Sequence, residues 1–267
     1  MSPLDDVYRK LNRASERAAA LAENVSAFCR DHPIALDAQL REGRLGINLV
    51  CQMEGMVVPL KEWSLDLGEI VYSLRSTLDN LIYVCALIHA DPPPRARDLQ
   101  FPIVQDPGQY ANAVRNIAPQ LPADIADLLE KVQPYQRGKP DVEGSPEHDP
   151  LVLLNWISNE DKHRMLVPFL IPPKEIKFEQ SCEFASETDA AANVPPDVVV
   201  HGGPLSHGAV LLEYRTKHPL TRVSGQFNIT AHVEFKTHAG SRDISEAIGQ
   251  LSWYTRLVVN GFANKLV

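Results

Sequence analysis

Between residues 66 and 88 the sequence places an apolar side chain on almost every face of a helix. Leu67, Val71, Leu74, Leu78, Leu81, Cys85 and Ile88 recur every three or four residues, and Ile70, Tyr72, Ile82, Tyr83, Val84 and Leu87 fill the flanks. A helix apolar nearly all round needs neighbours on several sides, so this one is expected over 66–90, central and the most buried of the chain. Asp66, with Glu69 three residues on, is its expected N-cap. Other stretches supply helical partners. Leu4, Val7, Leu11, Ala14, Ala18, Leu21, Val25 and Phe28 form one stripe that Pro33 closes. Pro122 opens a short helix carrying Ile125, Leu128, Leu129 and Val132. Asp149-Pro150 is a strong start for a helix with Leu151, Leu153, Leu154 and Ile157 inward. A closing helix is expected from Asp243, with Ile244, Ile248, Leu251, Leu257, Val258 and Phe262 as its stripe.

Elsewhere the period is two. Ile34, Leu36, Ala38 and Leu40 alternate, as do Leu45, Ile47, Leu49 and Cys51, around the turn Arg41-Glu42-Gly43-Arg44; this is a β-hairpin. Later strands are expected at 164–171, 175–184, 197–201, 208–215 and 226–236, joining that hairpin. Residues 91–122, with their many prolines, and 181–196 are expected as loops. The expectation is one α+β domain over 1–267, a long-helix bundle packed on an antiparallel β-sheet. Its helical part covers about 1–30, 64–165 and 243–265, and its β part about 34–53 and 164–236.

A net charge of −8 gives no support to generic nucleic-acid binding, which rests on phosphate neutralisation. Cys29, Cys51, Cys85 and Cys182 form no C-x-x-C pair and sit in apolar stretches, which fits a reducing compartment. No run is apolar enough for a membrane span, and the acidic start lacks the apolar core of a signal peptide, so a cytoplasmic location is expected. Trp63, Trp156 and Trp253 are expected in the core.

Two polar stretches interrupt core-forming helices. In the first, Arg75 and Asp79 stand four apart, share a face and can pair; a buried pair is costly unless each charge has further partners. Asn80 points about 100° away from Asp79. In the second, Asn155, Asn159 and His163 form a row at four-residue steps, beside Asp161, Lys162 and Arg164. Such a row could hold an anion or a phosphodiester, and His163 could exchange a proton near neutral pH. Buried polar groups need partners, so residues 159–164 are expected to face the helix carrying Arg75, in one cluster of Arg75, Asp79, Asn159 and His163. The plainer reading is a polar network that fixes helix register. His201, His207 and His218 match no metal-ligand spacing, and no phosphate-cradling glycine motif occurs, so neither metal nor cofactor is expected.

The series Arg75-Ser-Thr-Leu-Asp-Asn80, Phe101-Pro-Ile103, Gln133-Pro-Tyr135 and Asn159-Glu-Asp-Lys-His-Arg164 resembles a family of bacterial proteins of unknown function, associated with actinobacteria and their phages. In that family the first motif often reads R-S-A-L-D-H and the last N-x-D-K-H-R. The likeness covers about residues 64–170. Through its R-x-x-x-x-H pattern the first motif is also similar to that of HEPN domains, helical modules that include many metal-independent, commonly homodimeric ribonucleases. That second resemblance implies that Arg75 holds the scissile phosphate. The family's catalytic His falls on Asn80, which cannot exchange a proton as imidazole does, so His163 would have to serve instead. The expectation is a HEPN-like ribonuclease or a degenerate RNA-binding relative, in phage defence or a toxin system. Catalysis would rest on Arg75 and His163. Binding would involve Asp79, Asn80, Asn155, Asn159, Asp161, Lys162 and Arg164, with RNA or a small anion as ligand. The alternative is a non-enzymatic binding protein in which the same cluster is structural; the residues alone leave both open.

Overall fold

The computed structural model describes residues 3–163 and 167–266, without the side chains of Lys162, His163, Phe178, Gln180, Gln226 and Asn228. The α+β class is as the sequence implies. The expected single domain divides into two compact units, each discontinuous: residues 1–23, 60–168 and 235–267, and residues 24–59 and 169–234. The division follows the change in apolar period, with the long helices in the first unit and most of the strands in the second.

In the helical unit, the first part of α1 (Pro3–Asp31) joins α2 (Leu60–His89), α3 (Pro107–Ala113), α4 (Ala123–Lys131), α5 (Pro150–His163) and α7 (Ile244–Leu266). α2, α5 and α7 pack on one another. Val7, Leu11, Ala14, Ala18 and Leu21 are the buried stripe of α1 in this unit. Its polar flanks tie it to two neighbours. Arg256 of α7 donates to Asn12 Oδ1 at 2.9 Å, and Lys10 donates to Ser76 Oγ of α2 at 2.8 Å. Asp243 caps α7 as expected, accepting from Ser245 N at 2.8 Å.

Several expectations are corrected here. α2 begins at Leu60, directly after Pro59, because Trp63 extends the buried stripe one turn back; Asp66 is inside the helix, not its cap. α2 is not the most enclosed helix. Leu65, Tyr72 and Tyr83 lie on a solvent strip, whereas residues 150–154 of α5 are buried without interruption. α3 stands in the expected loop 91–122, where Asp106 caps Gly108 N at 2.9 Å and Pro107 occupies the first turn, the signature that also starts α5. Trp253 on α7 is 63% exposed rather than core.

The second unit is built on the hairpin of β1 (Ala35–Leu40) and β2 (Gly46–Gln52). Antiparallel pairing gives the sheet order β1-β2-β6-β5, with β5 (Asp197–Val200) and β6 (Val210–Arg215), so later strands do join the hairpin. Gly46, at φ 113°, runs so close to β6 that a Cβ there would lie 1.9 Å from the Tyr214 carbonyl oxygen. A second ladder pairs β4 (Pro173–Phe184) with β7 (Leu220–Ala231). Ile47, Leu49, Leu212 and Leu220 are buried between the two ladders, with Leu36, Phe184, Val198 and Phe227 around them. β3 (Phe169–Leu170) is much shorter than the expected strand 164–171, of which residues 164–166 lie outside the described residues. The expected strand 226–236 is broken at His232-Val233, after which β8 (Glu234–Thr237) and β9 (Gly240–Asp243) follow. The expected loop 181–196 holds the end of β4 and a short α6 (Glu187–Ala192), capped where Ser186 Oγ accepts from Asp189 N at 3.1 Å.

Glu213 on β6 is the charged hub of this unit. It accepts from Arg41 Nη1 at 2.7 Å and Arg215 Nη2 at 2.8 Å, and shares a 2.9 Å hydrogen bond with His201 Nε2. The bonds from Arg215 and His201 hold its carboxyl down to about 2. A folded value below the unfolded one of about 4.3 means that the carboxylate stabilises the fold above that pH, and that this contribution is lost as the pH falls from there toward 2. The melting temperature of the wild type should therefore fall more steeply than that of Glu213→Gln as the pH drops from about 4 to 2. Parallel curves would show that the hub contributes nothing.

Candidate functional site

Arg75 and Asp79 pair across one turn of α2, Nη2 to Oδ1 at 3.2 Å, and the Arg75 side chain keeps only 13% of its exposure. Their further partner is the backbone of Phe101. Arg75 Nη2 donates to the Phe101 carbonyl at 2.6 Å, and the Phe101 N–H donates to Asp79 Oδ1 at 2.8 Å. One i,i+4 pair thus satisfies both polar groups of one residue in an irregular segment. The need is plain, because the Phe101 ring is fully buried against Phe262, with centroids 6.2 Å apart. Each of its peptide groups left unpaired would cost about 1–3 kcal/mol. Burial pushes the Arg75 guanidinium below its ordinary value, while Asp79 pulls it back up. Arg75 Nη1 is buried with no hydrogen-bond partner among the described residues.

Three residues on, the same device recurs. The Val104 N–H donates to Gln133 Oε1 at 3.0 Å, its carbonyl accepts from Tyr135 N at 3.3 Å, and Gln133 Nε2 returns to Leu129 O at 2.9 Å. The motifs Arg75–Asp79, Phe101–Ile103 and Gln133–Tyr135 are therefore one construction, in which α2 and the turn that follows α4 staple an irregular segment at both ends.

The remaining candidates fall elsewhere. Asn80 points away from Asp79, as its position one residue on requires. With its amide oxygen turned toward Lys10 it accepts from Nζ at 2.9 Å and donates to the Ser76 carbonyl at 3.3 Å. The second polar stretch does face α2, but at its start: Asp161 Oδ1 would stand 2.5 Å from a Cβ on Gly68, and Ser64 Oγ donates to Val167 O at 2.9 Å. Arg75 is two turns further along α2, roughly 10 Å. Asn159 is exposed, and no described contact joins it to Arg75 or Asp79. The side chains of Lys162 and His163, and all of Arg164, lie outside the described residues.

Asn155 is half-buried and has a different setting. It lines an open cleft of about 730 Å³ together with Ile103, Gln105, Asp106, Gln109 and Asn112, so the stapled segment forms one wall. Sequence reasoning identified Asp149 as a cap, which accepts from Leu151 N at 2.9 Å, but missed the second role of that carboxylate. Asp149 Oδ2 also accepts from Arg137 Nε at 2.9 Å, and Arg137 lies over Tyr254 with its carbon 5.6 Å from the ring centroid. Tyr254 is remote in sequence, so no local signal marks this network. Among the described residues no His, Cys, Asp and Glu group could hold a metal ion.

Asp79→Ala strands the Phe101 N–H and a largely buried guanidinium, and should destabilise by about 3 kcal/mol. The exposed Asp141→Ala should cost less than about 0.5 kcal/mol. Arg75→Met combined with Asp79→Leu should cost less than the sum of the two single changes, measured by urea unfolding. Equal midpoints for Asp79→Ala and Asp141→Ala would remove the clamp from the account.

No known protein family, curated protein or solved structure matches this chain, so its site is read from its own geometry.

Proposed function

We propose that this chain is a non-enzymatic binding protein whose ligand occupies the cleft against the stapled segment 103–106. The observation that carries this reading is the commitment of Arg75: its Nη2 is held by Asp79 and by the Phe101 carbonyl, and its Nη1 is buried away from solvent. A phosphodiester would have to enter this buried site and compete with a backbone carbonyl for Nη2. Asn80, at the position of the catalytic His in HEPN domains, is likewise held to Lys10 and Ser76. Both features support the structural reading of the cluster over the ribonuclease reading.

The cleft has the size of a small-molecule site. Gln105, Gln109, Asn112 and Asn155 offer side-chain amides, which donate and accept at once. Among the described lining residues the one carboxylate, Asp106, is occupied in capping α3, and there is no Lys or Arg. That composition suits an uncharged ligand rich in hydrogen-bonding groups and not an anion. Asn155 is central to it, because its amide has no protein partner among the described residues.

Native mass spectrometry of the purified protein should find a neutral molecule that Asn155→Leu releases, with an affinity loss of at least about tenfold and no change in melting temperature. The wild type should leave single-stranded RNA intact. RNA cleavage that disappears in His163→Ala at unchanged melting temperature would overturn the proposal and restore the ribonuclease reading.

A further inference from the structure

We propose that a second cleft of the helical unit, between Pro94-Arg95 and the segment 115–120, binds a phosphate-bearing small molecule. It encloses about 720 Å³ and is lined by Pro94, Arg95, Arg115, Asn116, Pro119 and Gln120. No Asp or Glu is among these described lining residues, in a chain whose net charge is −8. Two arginines lining one concavity, with no carboxylate among its described lining residues, stand against the average charge of the molecule. Guanidinium forks match phosphate oxygens in pairs, and a concave site focuses their field.

The cleft is organised in advance of any ligand. Gln120 is buried and ties the two walls together: its Oε1 accepts from Arg95 N at 2.8 Å, and its Nε2 donates to the Asn116 carbonyl at 2.6 Å. Asn116 Oδ1 in turn receives Arg95 Nη1 at 2.9 Å, which aims that guanidinium while leaving its other N–H groups free to donate. Arg115 is exposed beside it and its side chain has no partner among the described residues. Pro94 and Pro119 add apolar wall to which the organic part of a phosphate ester can pack. The ligand class is a phosphate mono- or diester of a compact organic group, with recognition centred on the phosphate. This site shares no residue with the amide-lined cleft and does not depend on it.

Isothermal titration with inorganic pyrophosphate, with adenosine monophosphate and with adenosine distinguishes the phosphate from the group it carries. The two phosphate-bearing probes should bind and adenosine should not. Arg115→Gln, at an exposed position, should weaken binding at least about tenfold at unchanged melting temperature. Asn116→Asp, which places a carboxylate beside Arg95, should abolish it, while Asn155→Leu should leave it unchanged. The proposal is overturned if neither phosphate-bearing probe binds at millimolar concentration, if adenosine binds as well as its monophosphate, or if Arg115→Gln binds as the wild type does.

Discussion

The helical unit depends on how the backbone of Phe101 is satisfied. Its ring belongs in the core, yet its peptide groups belong to no helix or ladder, and water cannot reach them. Arg75 and Asp79 solve this by spacing. Side chains four apart on a helix stand one above the other, and here their paired ends, Arg75 Nη2 and Asp79 Oδ1, are 3.2 Å apart, close enough to meet both polar groups of one residue. The pair thus presents an acceptor and a donor in register with Phe101. A buried ion pair alone is a weak source of stability, because desolvation consumes the Coulomb attraction. Here the pair is retained for what it holds. At Val104 the work is shared: the Gln133 amide accepts from its N–H and is itself anchored to the Leu129 carbonyl, while Tyr135 N donates to the Val104 carbonyl.

The same logic sets out the rest of this unit. Asp149 caps α5 and receives Arg137, which reaches Tyr254 on α7. Gln120 joins the wall at Arg95 to the wall at Asn116. In each case a side chain stands in for the secondary structure that an irregular segment lacks. Both clefts of functional interest are walled by segments held in this way. Among their described lining residues, one has four side-chain amides and no Lys or Arg; the other has two arginines and no carboxylate. Their opposite compositions are the basis for assigning them different ligands.

Periodicity made much of the fold legible. The stripes of α1, α2, α4, α5 and α7 mark burial over most of their length, because burial follows helix geometry directly, although Ile88 and Leu257 are exposed; in the hairpin β2 is buried on both faces, whereas Leu40 of β1 is 48% exposed. Boundaries were less legible. The start of α2 was read at Asp66 because a good cap residue stands there, whereas the chain used Trp63 to bury one more turn. α3 and α6 were missed because they carry almost no apolar stripe, and they form where a capping side chain and a well-placed Pro or Ser permit.

By itself, the sequence determined the α+β class, the helix faces and the pairing of Arg75 with Asp79, because all of these depend on spacing within one element. Only the tertiary structure decided what that pair holds. A charged i,i+4 pair in an apolar helix announces that it needs partners but not which ones, since its hydrogen bonds can be completed by a side chain, a ligand or a stretch of backbone. Phe101 supplied the backbone, from 22 residues beyond Asp79. The two clefts were equally hidden, because each is lined by residues from separate segments whose meeting is set by packing and by buried amides, not by any local pattern.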